Sequence, residues 1–353
     1  MPKRQSSAKT NTLERALSEP TLVGSGDFRF EADNAWAQVP AEAAWQEAVG
    51  VAADSVGRVY VFNRGPSPIV ILNRDGSYAG GWGQGIFNRP HGIVVDDEDN
   101  LLLTDDMGHS VRKYSPDGTP LMDVGPCGTP SETGVDGMDF RTIRAGCGPY
   151  NIPTNLAVAP GGELYVADGY GNASIHRFTA DGELIQSWGN PGDGPGEFNV
   201  PHGIAVDHQG QVIVADRENS RLQFFTADGE LVDTWMDVVR PTQVVVDQDG
   251  NLWVSELGTI AGLFPFMDPP DSPVGSRVTV FSASGDLLAR WGGGENPGSP
   301  GDFFAAHDLW LDPFGDLYVS EVVYSAGGKH GMVPADCPSL QKFTRLPPES
   351  DAN

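Results

Sequence analysis

Short runs of alternating apolar and polar residues, cut by Asp/Gly turns, recur along most of the chain. The clearest run, Val200 to Gly229, predicts three strands at Gly203 to Asp207, Gln211 to Asp216 and Leu222 to Phe225. His208-Gln209-Gly210 and Ala227-Asp228-Gly229 are the turns between and after them. A unit of about 30 residues cannot bury its own apolar face, so it needs neighbours of the same kind.

The chain supplies them. Arg89 to Gly118, Ile152 to Gly182, Arg240 to Gly258 (completed by Val278 to Phe281) and Ala305 to Glu321 (completed by Leu340 to Phe343) repeat the pattern, and Ala48 to Gly76 opens the series. A fourth strand follows several copies and ends in Trp82-Gly83, Trp188-Gly189, Trp235-Met236 or Trp291-Gly292. Six four-stranded units predict an all-β fold, a six-bladed β-propeller, with blades near 48–83, 89–125, 152–189, 200–236, 240–292 and 305–345. A flat solenoid would need polar capping repeats, and the sequence has none. The expected organisation is a tail over 1–25, one propeller domain over 26–346 and a short tail over 347–353. Phe28 to Val39 alternates as a strand would and is expected to form the outer strand of the last blade.

Composition narrows the function. The 353 residues carry a formal net charge of −26, which argues against nucleic acid and against anionic membranes as partners. No apolar run reaches the roughly 20 residues of a spanning helix, and the basic N-terminal stretch lacks the apolar core of a secretory signal. A soluble, cytoplasmic protein is the expectation; oligomeric state is not legible. Cys127, Cys147 and Cys337 are too few for a disulfide framework or a Cys-rich zinc site, although Cys127 and Cys147 flank one loop and pairing between them stays open. Loops near 119–151, 259–276 and 324–338 are the candidates for specificity.

The informative column appears on aligning the copies at the residue that ends the first strand: Asp54, Asp96, Ala159, Asp207, Asp247 and Asp312. Five positions earlier stand Val49, His91, Thr154, His202, Thr242 and His307, so histidine occupies every second blade. The first strand of a propeller blade is the innermost, and alternate blades of a six-fold ring lie about 120° apart. Three imidazoles then converge on the axis, giving three neutral nitrogen ligands and an open fourth position, as a catalytic zinc requires. Taken singly, each histidine also reads as a strand-start residue bonded to a turn carbonyl.

The runs P-H-G, A-D-G-Y-G-N, V-P-H-G, V-A-D-R-E-N and A-H-D resemble peptidyl-α-hydroxyglycine α-amidating lyase and its bacterial stand-alone relatives with NHL-type repeats. The resemblance spans all six blades, roughly 45–345. It implies a lyase that splits a carbinolamide, R-CO-NH-CH(OH)-COOH, into an amide and glyoxylate. It implies His91, His202 and His307 as zinc ligands, Tyr170 as the general base and Arg64 as the residue that engages the substrate carboxylate. Asp308, with the backbone carbonyls of Val51 and Ile93, is implied as the site of a structural calcium ion, and Arg217 as a further substrate contact. The chain departs from the family at Gly171, where a cysteine is usual. With no adjoining monooxygenase domain, a small N-acyl- or N-carbamoyl-α-hydroxyglycine is an expected substrate beside a peptidyl one. Two other readings remain at this point: a metal-dependent propeller hydrolase of the lactonase type, and a non-enzymatic NHL-repeat binding scaffold.

Overall fold

A computed structural model describes residues 20–260, 272–334 and 336–347. It is a six-bladed β-propeller. Five sheets have four antiparallel strands, and the sixth has five. The inner strands are Ala48–Ala53, Pro90–Val95, Asn155–Val158, Pro201–Val206, Pro241–Val246 and Ala306–Leu311. Each packs against the next, and the last packs against the first, which closes the ring around a channel.

Two acidic columns build the repeat. Asp54, Asp96, Asp207, Asp247 and Asp312 directly follow the inner strands, and the Oδ1 of each accepts the N–H groups two and four residues on, as at Arg58 (2.8 Å), Asn100 (2.9 Å) and Gln211 (2.8 Å). The aspartate thereby ties the turn that returns the chain outward. At the far end of each second strand stands Asn63, Asp105, Asp168, Asp216, Glu256 or Glu321. These accept backbone N–H groups from the loop entering their own inner strand, such as Asn88 and Arg89 on Asp105 (both 2.8 Å). In blade three this column makes an Asp168–His176–Ser187 chain, with His176 Nε2 3.1 Å from Asp168 and Nδ1 2.8 Å from Ser187. Its residues resemble a hydrolytic triad, but it crosses the second, third and fourth strands of its blade, away from the axis, and its acid serves the same stapling role as in the other blades.

The core lies between blades. Phe30, Trp253, Trp291 and Phe343 fill the joint between blades five and six, with Phe30 stacked on Trp291 at 5.8 Å and edge-on to Trp253 at 5.8 Å. Phe30 belongs to the strand Phe28–Asp33, which pairs with Leu340–Arg345 and closes the ring as expected. Two details differ from the sequence-based expectation. That strand stops at Asp33 rather than running to Val39, and the expected tail contributes a further outer strand, Thr21–Ser25. Thr21–Ser25 is short, interrupted by Gly24 and mostly exposed, so periodicity alone does not mark it. Cys127, Cys147 and Cys337 are all free thiols, so the Cys127–Cys147 pairing left open above is not formed.

Candidate metal centre and active site

The ring places His91, His202 and His307 together at the axis. Their ring centroids are 4.9, 4.8 and 4.8 Å apart, a near-equilateral triangle. All three are buried, and their candidate ligand atoms lie within 4.8 Å of one another.

The non-histidine half of the column explains how the rings are aimed. His91 Nδ1 is 2.6 Å from the carbonyl of Thr154, His202 Nδ1 2.7 Å from that of Thr242, and His307 Nδ1 2.7 Å from that of Val49. A carbonyl only accepts, so each Nδ1 carries the proton and each Nε2 keeps a lone pair directed at the axis. Every odd blade therefore supplies the orienting carbonyl for the histidine of the blade before it. The strand-start reading and the metal reading describe the two nitrogens of the same ring. Burial, together with the neighbouring imidazoles and Arg64, holds His91 well below the ordinary histidine range. Burial and Arg217 do the same for His202, and burial and Arg64 bring His307 down to about 3. Three neutral imidazoles with convergent lone pairs and fixed tautomers fit a divalent metal with a fourth position open.

The P-H-G motif follows from the same geometry. A Cβ on Gly203 would lie 2.6 Å from the Thr242 carbonyl oxygen and 2.5 Å from Gln243 Cα. A Cβ on Gly92 would lie 2.8 Å from the Thr154 oxygen. Glycine after the histidine lets the neighbouring inner strand come close enough to accept from Nδ1.

Tyr170 sits over the triangle. Its hydroxyl is 3.1 Å from His202 Nε2 and 3.3 Å from His91 Nε2, and it accepts from Arg217 Nη1 at 3.0 Å. The chain positions it through a tight exit from the strand Leu164–Asp168, with Tyr170 N–H donating to Ile152 O and Gly171 N–H to Asn151 O. A Cβ at position 171 would lie 2.8 Å from the Asn151 carbonyl oxygen, so the tight exit favours glycine there.

Arg64 lines the same cavity of about 200 Å³. Its Nε donates to Pro90 O at 3.0 Å, and its Nη1 approaches Glu47 at 3.3 Å and Ser325 at 3.4 Å. Arg217 is buried, with Glu218 at 2.7 Å and Tyr170 on its other side. Glu218 also holds Arg240 at 2.8 Å. Asp308 lies one step down the channel, with its carboxylate accepting from Val51 N–H at 3.3 Å and Leu309 N–H at 2.9 Å.

Arg89, Glu47, Asp106 and the Glu218–Arg240 pair were not legible as site residues. The one signal for Arg89 was the R-P dipeptide opening both the blade-two and blade-five repeats, where it reads as a repeat feature.

Comparison with known proteins identifies the family. The NHL repeat family matches residues 198–225. Peptidylglycine alpha-amidating monooxygenase of Rattus norvegicus is 32% identical over 237 residues, covering 56% of this chain and 22% of its own length. Peptidyl-alpha-hydroxyglycine alpha-amidating lyase 2 of Drosophila melanogaster is 28% identical over 285 residues, covering 74% of this chain and 60% of its own. NHL repeat-containing protein 3 of Mus musculus is 31% identical over 248 residues, with 65% of this chain and 67% of that protein covered. The chain belongs to the amidating-lyase-like NHL-repeat family. It spans about a fifth of the length of the rat monooxygenase it matches. Among solved structures, a gluconolactonase from Xanthomonas campestris superposes with a TM-score of 0.60 at 16% identity, over 94% of this chain and 96% of that one. At that identity the likeness is one of fold alone.

Proposed function

We propose that the protein is a zinc-dependent lyase that cleaves the C–N bond of an N-acyl- or peptidyl-α-hydroxyglycine, giving an amide and glyoxylate. The observation that carries this reading is the Tyr170 hydroxyl, set within 3.3 Å of two imidazole Nε2 atoms and beside an arginine. The Drosophila melanogaster relative named as an amidating lyase supports the reaction type. Held by His91, His202 and His307, zinc supplies a Lewis acid that lowers the pKa of a substrate hydroxyl.

The chain's own groups do the rest. Tyr170 enters the step as a phenolate, stabilised by Arg217 Nη1 3.0 Å from its oxygen, and takes the hydroxyl proton. Arg64 receives the substrate carboxylate and fixes the reacting carbon beneath Tyr170. As the carbonyl of glyoxylate forms, the C–N electron pair moves to nitrogen and the proton held at Tyr170 is returned there. The reaction is redox-neutral and consumes no water.

A structural calcium ion at Asp308, with the carbonyls of Val51 and Ile93, belongs to the same proposal. Burial pushes the Asp308 carboxyl up to about 7, and it is met by the N–H groups of Val51 and Leu309 and by the Gln243 side chain. A hard dication is a suitable partner for such a buried acid.

The test is glyoxylate release from α-hydroxyhippurate by zinc-loaded protein. The wild type is expected to turn it over, and His202→Ala to be inactive. Absence of glyoxylate from the wild type overturns the reading.

A further inference from the structure

The two ends of the channel are oppositely charged. The opening above the histidines is lined by Arg64, Arg89, Arg217, Lys329 and His330, and no acidic side chain is among the described residues of its wall. The opposite opening is lined by seven aspartates, among them Asp96, Asp97 and Asp312, against one arginine, Arg345. In a chain of net charge −26, a cationic mouth concentrates anions at one end only.

The cations there outnumber their carboxylate partners. Glu218 is shared by Arg217 and Arg240, at 2.7 and 2.8 Å. Asp106 holds Arg89 at 2.7 Å and lies 4.0 Å from Arg64, which has Glu47 at 3.3 Å. Lys329 is exposed at the rim. Arg64, Arg89 and Lys329 thus face Glu47 and Asp106, and one positive charge remains before any metal is counted.

Arg89 is built as an anion receptor. Its Nε edge is fixed by both oxygens of Asp106, at 2.7 and 2.9 Å, while Nη1 rests on the Met138 thioether at 3.3 Å, a weak acceptor. The guanidinium is held in place with its Nη atoms available at the cavity wall. One carboxylate of an α-hydroxyglycine is taken by Arg64 in the function proposed above, which leaves Arg89 and Lys329 unassigned.

We propose that Arg89 and Lys329 form a second anion subsite, and that the substrate is a small carbinolamide whose acyl part carries a second carboxylate. The inference rests on the carbinolamide reading and narrows it.

The test is equilibrium binding, by calorimetry on the zinc-loaded protein, of two unreactive probes: hippurate and its 4-carboxy derivative. The dianion is expected to bind about tenfold more tightly, close to 1.4 kcal/mol, with the advantage shrinking as salt rises. Arg89→Gln is expected to bring the ratio of affinities close to one, and Lys329→Gln to lower it about threefold. Equal affinities in the wild type overturn the proposal. So does an unchanged ratio in Arg89→Gln, which would mean that Arg89 serves the first carboxylate or the fold. If Arg89→Gln does not fold, Lys329→Gln decides, because its exposed side chain is not part of the core. Turnover of α-hydroxyhippurate is read separately. A dianion preference without turnover keeps the subsite and removes the lyase; turnover without a preference does the reverse.

Discussion

Replacing Gly203 by alanine tests the way the fold aims its metal ligands. The new Cβ would sit 2.6 Å from the Thr242 carbonyl oxygen and 2.5 Å from Gln243 Cα. Both are main-chain atoms, so no side-chain rotation relieves the contact. Restoring even 3.0 Å moves the inner strand of blade five by several tenths of an ångström. That strand carries the carbonyl at 2.7 Å from His202 Nδ1, so the ring loses its anchor along with its tautomer preference. Overpacking of this kind costs about 1–3 kcal/mol of folding stability. Loss of a partner that orients a metal-binding histidine costs about 10–100-fold in affinity, or roughly 1.4–2.7 kcal/mol. Chelator competition reads the affinity and thermal unfolding reads the stability, with Gly161→Ala, where a Cβ meets nothing within 4 Å, as the control. Zinc affinity within twofold of wild type, in a protein with unchanged Tm, would refute the reasoning.

Other outcomes follow from the same geometry. Tyr170→Phe keeps the aromatic body but removes the oxygen that accepts from Arg217, and kcat for glyoxylate release is expected to fall by about 10²–10⁴-fold while metal content is retained. Phe30→Ala empties the joint between blades five and six and is expected to cost about 3–5 kcal/mol, measured by chemical denaturation; a loss under 1 kcal/mol would show that the N-terminal strand does not close the ring. Burial pushes Glu321 up to about 7, so the fold holds its proton more tightly than the unfolded chain does. Its contribution to stability, at most about 3 kcal/mol, is complete below the ordinary glutamate pKa and is lost as pH rises through about 7. Glu321→Gln is expected to flatten the fall in Tm over that window, and an unchanged pH profile would contradict it.

The propeller and the histidine triangle were legible because both rest on register. A repeat with fixed spacing places equivalent residues at equivalent radius, so a histidine in every second copy must meet its fellows on the axis. The function of the intervening residues was not legible, because Val49, Thr154 and Thr242 act through backbone carbonyls, which a sequence does not display. The same limit applies to the P-H-G glycines, whose φ angles are ordinary and whose necessity is a contact across blades. Arg217 was visible in the D-R-E-N run, yet its contact with Tyr170 joins residues 47 apart and exists only once blades three and four stand side by side. Arg89 belongs to the loop preceding its blade, and only the closed ring shows that it faces the cavity rather than solvent.

The central claim is that three histidines on alternate blades form one metal site. Elemental analysis of the purified protein, run beside His202→Ala, tests it most directly. About one zinc per chain in the wild type, lost in the variant with the fold intact by circular dichroism, is the expected result. A wild-type protein that neither carries zinc nor takes it up on dialysis against the metal would contradict the account.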